Sequence, residues 1–328
     1  MAADLLVAVS YPVDDEFARI NTSVLDGSAR VVFLYGRPED EVRELLRQAD
    51  VLLGWHLGEE LPAGALADST RVRFVQLLSA GADSVDYAAL PERLMLAGNV
   101  GAYAQPMAEY VMAATLALAR RLPQRHAEMA RGEFGMWKPV VTLDGAVCGI
   151  LGFGGIGKAT GRLMRAFGAR IYGVNTTGHS GEPADFIGTL ADLDEVLAEA
   201  DVLVIALPLT RSTRGLIGER ELGLMKPAAI LVNVGRAAIV DERALYEHLR
   251  GHTDFCAGLD AWWHEPGPGS AFATEYPFFD LPNMIGSPHN SGVTDGALQL
   301  GARMAAENVR RFLHGENVTG VVRRGDYL

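Results

Sequence analysis

Short runs of consecutive apolar residues alternate along this chain with stretches whose apolar positions recur every three or four residues. Residues 5–9, 31–34, 51–53 and 73–77 read as buried strands. Residues 38–49 read as a helix, opened by Pro38 and acidic in its first turn. The alternation resumes between residues 145 and 289. Strands are predicted there at 146–151, 170–174, 202–206, 229–234, 255–259 and 284–286, and helices at 158–167, 192–200, 219–225 and 241–249. A last helix over 294–313 is stopped by Gly315. Strands that alternate with helices imply parallel sheets with helices packed on them.

Residues 105–122 predict one long helix whose apolar residues cover most of its circumference. Met107, Val111, Ala114 and Leu118 form one stripe, and Ala108, Met112 and Leu116 another. Burial on two sides suits a helix between domains or at a subunit interface, and core burial within one domain fits the pattern equally well.

Composition narrows the class. At 328 residues the chain is long enough for two domains with separate cores. A net charge of −12 argues against nucleic acid or an anionic membrane as the main partner, and an anionic substrate would need a local arginine or lysine. Met1-Ala-Ala-Asp4 lacks the cationic start of an export signal, and the longest apolar run, near 110–119, is too short to span a bilayer. A cytoplasmic location is expected. Cys148 and Cys256 both lie in apolar runs and read as buried core thiols, and no metal site is expected. Gly267-Pro-Gly-Ser270 reads as a local loop.

Between the strand at 146–151 and the helix that follows stands Gly152-Phe-Gly-Gly-Ile-Gly157. A strand, a glycine-rich turn and a helix N-terminus form a dinucleotide-binding fingerprint. Gly152 would allow the tight turn, Gly154 the approach of a pyrophosphate, and Gly157 close helix–strand packing. The unpaired N–H groups and positive dipole end of that helix would face the phosphates. A glycine-rich turn without a ligand is the plain alternative.

Three polar residues follow predicted strands: Arg236 after Ile230-Leu-Val-Asn-Val-Gly, Glu265 in Leu259-Asp-Ala-Trp-Trp-His-Glu-Pro266, and His289 in Gly286-Ser-Pro-His-Asn-Ser-Gly292. Ligands of doubly wound sheets bind beyond the carboxyl ends of the strands, so all three are candidates for catalysis. Singly, Arg236 could be a surface ion pair, Glu265 a loop carboxylate and His289 a satisfied histidine.

With these residues in place the chain resembles the D-isomer-specific 2-hydroxyacid dehydrogenases, almost end to end. The likeness runs through Leu78-Ser-Ala-Gly-Ala-Asp83 with Val85-Asp86, Ala108-Glu109, the glycine loop, Leu207-Pro-Leu-Thr210 with Thr213, Asn233-Val-Gly-Arg236, Glu265-Pro266 and Ser287-Pro-His289. The resemblance implies an α/β fold of two Rossmann-like domains, each a parallel sheet flanked by helices, with a deep interdomain cleft. Residues 1–101 with 290–328 would form the substrate domain, and 102–289 the dinucleotide-binding domain.

It also implies roles. Arg236 would grip a substrate carboxylate bidentately. His289 would be the acid–base residue, and Glu265 would fix its tautomer and raise its pKa. Ser79, Ala80 and Gly81 would meet the carboxylate with backbone N–H groups, unless they are a plain turn. Gly152, Gly154, Gly155, Ile156, Gly157, Asn175, Thr176, Thr177, Leu207, Pro208, Thr213, Val234, Gly235, Arg236, Asp260 and His289 would surround the cofactor, with Asp260 on the nicotinamide side. Trp262 and Trp263 could wall the pocket or pack the core, and His56 is a weaker pocket candidate.

An NAD-selective fold usually ends its second strand in Asp or Glu. Here Arg170-Ile-Tyr-Gly-Val174 is followed by Asn175-Thr-Thr-Gly-His179, so the expected cofactor is NADP or NAD with a lean to NADP. The expected activity is reduction of a small 2-oxoacid to the D-2-hydroxyacid, by a homodimer. A nucleotide-binding corepressor and a phosphite or formate dehydrogenase relative are the alternatives. Formate dehydrogenases generally carry glutamine where this chain has Glu265, and no partner-binding extension is evident.

Overall fold

The computed structural model describes residues 5–267 and 269–327. Met1-Ala-Ala-Asp4, on which the export reading rests, and Pro268 of the glycine–proline loop lie outside the described residues. The chain divides into two compact units, Met1–Tyr103 with Thr294–Leu328, and Ala104–Val293.

The first unit holds a parallel sheet of β1 (Leu6–Val9), β2 (Arg30–Phe33), β3 (Val51–Gly54), β4 (Phe74–Leu77) and β5 (Met95–Ala97), in the order β2-β1-β3-β4-β5. Successive side chains of a strand point to opposite faces. Leu6 and Ala8 therefore pack with Val42 and Leu46 of the helix Glu39–Gln48, while Val7 and Val9 pack with Ile20 and Leu25 of the helix Asp15–Leu25. Asp14 caps the latter helix by accepting from the N–H groups of Glu16 and Phe17.

The C-terminal helix Ala297–Leu313 covers the second face with Ala302, Ala305, Ala306 and Val309. It starts at Ala297, later than the expected 294, because Gly296 before it takes φ 75°. Buried Asn308 ties the tail down: its Nδ2 donates to Gln76 Oε1 (2.6 Å) and Thr319 O (2.9 Å), and its Oδ1 accepts from Thr319 N–H (3.0 Å).

The second unit holds β6 (Val147–Leu151), β7 (Arg170–Val174), β8 (Phe186–Gly188), β9 (Val202–Ile205), β10 (Ile230–Asn233), β11 (Cys256–Leu259) and β12 (Met284–Gly286). All pairs are parallel, in the order β12-β11-β10-β9-β6-β7-β8. The order reverses between β6 and β9, the switch point of a doubly wound sheet. Both sheets are flanked by helices, so each unit is a Rossmann-like α/β layer structure. Cys148 and Cys256 are free and buried. Among the described residues no helix is long and apolar enough to cross a membrane.

Several boundaries differ from those read in the sequence. The helix expected over 105–122 ends at Ala119, and a second helix spans Leu122–Ala130. Pro123 has no N–H with which to continue the first helix and suits the first turn of the second, and Arg121 turns the chain between them at φ 53°. The side chain of Arg121 secures the turn by donating to the carbonyls of Thr253 and Asp254. Val111, Met112, Ala114 and Leu118 pack into the core of their own unit, so both apolar stripes serve that core. Strands β5 and β8, each three residues long and at a sheet edge, are not among the strands read from the apolar runs.

Asn308→Ala should lower the unfolding free energy by about 1–3 kcal/mol, because buried Gln76 loses its partner and Thr319 loses its ties to the helix. Urea denaturation checks this, and an unchanged midpoint would mean that the tail is held otherwise.

Candidate active site

The glycine loop after β6 has the geometry of a phosphate cradle. Gly152 has φ 97°, and a Cβ there would lie 2.6 Å from the carbonyl carbon and oxygen of Ala206. A Cβ on Gly157 would lie 2.2 Å from Gly152 O. Any side chain at either position would push the helix Gly155–Ala166 off the sheet. A Cβ on Gly154, by contrast, would meet nothing within 4 Å. Two glycines are thus demanded by packing, while the third faces open space at a helix N-terminus, where a pyrophosphate fits. The helix begins at Gly155, earlier than the expected 158, so Gly155 and Ile156 supply its first N–H groups.

Leu207 and Pro208 follow β9, and Val234 and Gly235 follow β10. A Cβ on Gly235 would lie 2.8 Å from Leu207 O, so glycine lets the two loops meet. Thr213 braces the first loop: its Oγ1 donates to Pro208 O (2.7 Å) and accepts from Thr210 N–H (2.8 Å). Asn175, after β7, is likewise committed to its own loop. Its Oδ1 accepts from Thr177 N–H (2.9 Å) and Gly178 N–H (2.8 Å), and its Nδ2 donates to His179 O (2.8 Å). Thr176, Thr177 and His179 are the exposed groups of that turn.

Arg236, Glu265 and His289 follow β10, β11 and β12, three neighbouring strands of one sheet. His289 Nδ1 lies 2.8 Å from Glu265 Oε2. A carboxylate only accepts, so Nδ1 carries the proton of this bond and Nε2 is left for chemistry. Glu265 Oε1 accepts from Trp262 N–H (2.9 Å), which fixes the carboxylate plane. The bond from Glu265 raises the His289 pKa above its ordinary value; burial opposes this, the Glu265 charge adds to it, Arg236 opposes and Asp260 assists. Burial pushes Glu265 up, but its bonds from His289 and Trp262 and the charges of His289 and Arg236 outweigh this and hold it low.

His289 sits in the left-handed region at φ 52°, a conformation that costs a non-glycine residue roughly 1–2 kcal/mol. Asp260 holds it there. This carboxylate is 1% exposed, accepts from Ser287 Oγ (2.6 Å) and Asn290 N–H (3.0 Å) at Oδ1, and from Ser291 N–H (3.1 Å) at Oδ2. Its bonds fall on both sides of His289. Trp262 and Trp263 take the packing role, with Nε1 donating to Ser287 O (2.8 Å) and Val240 O (2.9 Å). Sequence reasoning missed Asp260 as a loop anchor and Tyr110 beside it. A tyrosine at the start of the apolar run 110–119 was the available signal, since a buried phenol needs a partner.

Ser79, Ala80 and Gly81 lie in the other unit, beyond the end of β4. Ser79 Oγ donates to Gly81 O (2.9 Å), and Ser79 O accepts from Asn99 N–H (2.8 Å). His56 is exposed at the end of β3, stacked on Trp55. Among the described residues one group could offer three metal ligands, Glu242, His264 and Glu275. There His264 pairs with Glu275 (3.4 Å), and Glu275 N–H donates to Glu242 (3.0 Å).

A doubly wound unit with a glycine cradle and an Arg–Glu–His set on adjacent strand ends defines a nucleotide-dependent oxidoreductase class. Residues 112–291 match the family model of the D-isomer-specific 2-hydroxyacid dehydrogenase NAD-binding domain. The chain belongs to that family.

It is 34% identical over 288 residues to a glyoxylate reductase of Thermococcus gammatolerans, covering 85% of this chain and 84% of the relative. It is 30% identical over 320 residues to a D-3-phosphoglycerate dehydrogenase of Methanocaldococcus jannaschii, covering 96% of this chain but only 59% of that longer relative. Among solved structures it resembles a provisionally named formate dehydrogenase of Pyrobaculum aerophilum (TM-score 0.84, 28% identity, 98% of this chain and 99% of that one). It also resembles a D-isomer-specific 2-hydroxyacid dehydrogenase of Xanthobacter autotrophicus Py2 in complex with NADPH and MES (TM-score 0.81, 25% identity, 99% and 100%).

The pKa directions set a pH window. Glu265 and His289 are both ionised between the depressed value of the one and the raised value of the other. The stability their pairing contributes fades as pH falls through the first and as it rises through the second. Glu265→Gln should therefore lower the pH at which the His289 imidazole titrates, followed by the NMR signal of its ring carbons. An unchanged midpoint would mean that Glu265 does not govern the proton.

Proposed function

We propose that the protein is an NAD(P)-dependent D-2-hydroxyacid dehydrogenase that acts mainly as a reductase of small 2-oxoacids. The observation that carries this is the 2.8 Å bond between His289 Nδ1 and Glu265. It holds a proton-bearing imidazole at the strand ends of a nucleotide-binding unit, close enough to Arg236 for its charge to act on both partners. Arg236 grips the substrate carboxylate with its planar fork. His289 gives the proton on Nε2 to the carbonyl oxygen, and Glu265 stabilises the imidazolium until then and keeps the ring oriented. A bound nicotinamide would supply the hydride.

Gly154, Gly155, Ile156 and Gly157 would hold the pyrophosphate, with Leu207, Pro208, Val234 and Gly235 lining the dinucleotide and Thr213 bracing its loop. In this reading Ala104–Val293 is the dinucleotide domain, and the other unit is the substrate domain, with Ser79, Ala80 and Gly81 cradling the carboxylate. The relatives named glyoxylate reductase favour a short substrate side chain. Glu265, where formate dehydrogenases generally carry glutamine, favours a proton donor over formate oxidation. Two free buried thiols suit a reducing, cytoplasmic compartment.

The homodimer reading rests on another surface than the helix Ala104–Ala119. Met129, Phe134, Met136, Trp137 and Val141 are all exposed within one short stretch, Trp137 to 89%. Such a run of large apolar side chains marks an interaction surface, here for a second copy of the chain. Trp137→Glu should yield monomers by sedimentation. A wild-type monomer would remove the reading.

His289→Ala should cut turnover by roughly two to four orders of magnitude while cofactor binding survives. Arg236→Lys keeps the charge but loses the fork, so kcat/KM for 2-oxoacids should collapse. A panel of 2-oxoacids with NADH and NADPH tests the whole assignment, and wild-type activity on none of them would overturn it.

The lean to NADP rests on the absence of a carboxylate after β7. With Asn175 engaged in its loop and Thr177 Oγ1 bonded to Asn175 Oδ1 (3.1 Å) and His179 O (3.3 Å), Thr176 and the His179 ring are the groups placed to meet a 2′-phosphate. NADPH should support reduction at least as well as NADH. Asn175→Asp keeps the acceptor for Thr177 and Gly178 but adds a charge that repels the phosphate, so it should shift the kcat/KM ratio toward NADH. Strong wild-type selectivity for NADH would refute the lean.

A further inference from the structure

Tyr110, on the helix Ala104–Ala119, brings its phenol oxygen to 2.5 Å from Ser287 Oγ, which lies 2.6 Å from Asp260 Oδ1. One serine proton must be apportioned between two neighbours. An ionised carboxylate only accepts, so Ser287 O–H donates to Asp260 and Tyr110 O–H donates to Ser287. Burial pushes the Tyr110 phenol up from its ordinary value, so it keeps that proton at working pH. Ser287 is held at its other polar atoms too: its N–H donates to Leu259 O (2.9 Å), and its carbonyl accepts from Trp262 Nε1 (2.8 Å). On the far side of His289, the N–H groups of Asn290 and Ser291 reach the same Asp260.

We propose that Tyr110 and Ser287 are positioning residues for His289, acting through Asp260 to keep the histidine in its left-handed conformation facing Glu265. The assignment rests on the acid–base reading of His289 given above. The physical argument is cooperative. A hydroxyl that accepts from a phenol is polarised and donates more strongly, and it cannot rotate away from the carboxylate. Without the phenol proton, Ser287 holds Asp260 less firmly and the loop samples the backbone conformations that a histidine prefers. The bond from Nδ1 to Glu265 is then made for less of the time. Glu265, Arg236 and Asp260 are the charged groups that act on His289, and the bond to Glu265 is the largest influence among them.

Tyr110→Phe removes one hydroxyl and keeps the ring. It should lower kcat about tenfold with KM for NADPH unchanged, as expected for a misplaced proton donor. It should also lower the pH at which the His289 ring carbons titrate by NMR. Ser287→Ala should lose more and Ser287→Thr, which restores a hydroxyl, should recover most of the activity. In a His289→Ala background Tyr110→Phe should add no further loss. Unchanged kcat and titration midpoint in Tyr110→Phe would overturn the proposal, as would a loss of the same size in the His289→Ala background. If Tyr110→Phe fails to fold, the Ser287→Ala and Ser287→Thr pair decides by the same two readouts. If His289→Ala keeps normal turnover, the acid–base reading falls on its own, and the NMR midpoint alone then judges the relay.

Discussion

A single buried carboxylate organises the strand ends of the nucleotide-binding unit. Asp260 follows β11 and takes three hydrogen bonds from the loop after β12. Burying an unpaired carboxylate would be prohibitive, whereas one that receives two N–H groups and a hydroxyl is tolerated and makes the loop rigid. That rigidity is what allows His289 to occupy φ 52° without a glycine. The cost of the conformation is local, and the bonds that offset it come from the neighbouring strand end. Remove Asp260 from this arrangement and there is no reason for His289 to face Glu265.

The glycine loop depends on a similar economy of space. Gly152 and Gly157 exist so that β6, the loop after β9 and the helix Gly155–Ala166 can approach at backbone distance. The opening beside Gly154 follows from that approach. Gly235 repeats the device between the loops after β9 and β10. The glycine loop and the Glu265–His289 pair are thus built on one parallel sheet, whose strand order reverses between β6 and β9. All strand ends carry their loops to the same edge, which is why residues far apart in sequence can serve one reaction in the proposed function.

Much of this was legible beforehand. Runs such as 170–174 and 284–286 are strands at those same residues, because a short run of apolar residues suits a strand with much of its surface covered by neighbours. The glycine spacing and the strand-end positions of Arg236, Glu265 and His289 were equally visible, since a parallel sheet delivers them to one edge. The long helix was misread at its end. Apolar periodicity runs on past Ala119, but the proline at 123 and the turn at Arg121 break the helix, and the partners of Arg121 lie more than a hundred residues away. Asn175, whose place after β7 suggests a group facing a ligand, bonds within its own loop.

What the sequence determined by itself was the set of elements and the chemistry they could carry. Apolar period, turn residues and strand-end polar residues are local quantities, set by backbone sterics and by the need to bury side chains. The tertiary structure alone decided which polar atoms are spent on the fold and which are left over. Asp260, Ser287, Tyr110, Thr213 and Asn175 have donors and acceptors suited to a ligand, yet in the folded chain they bond one another or their own loops. Hydrogen bonding depends on distances of a few ångströms between residues remote in sequence, and no local pattern records them. The same limit explains the backbone of His289, whose left-handed turn is imposed from a neighbouring strand rather than by its own residue type.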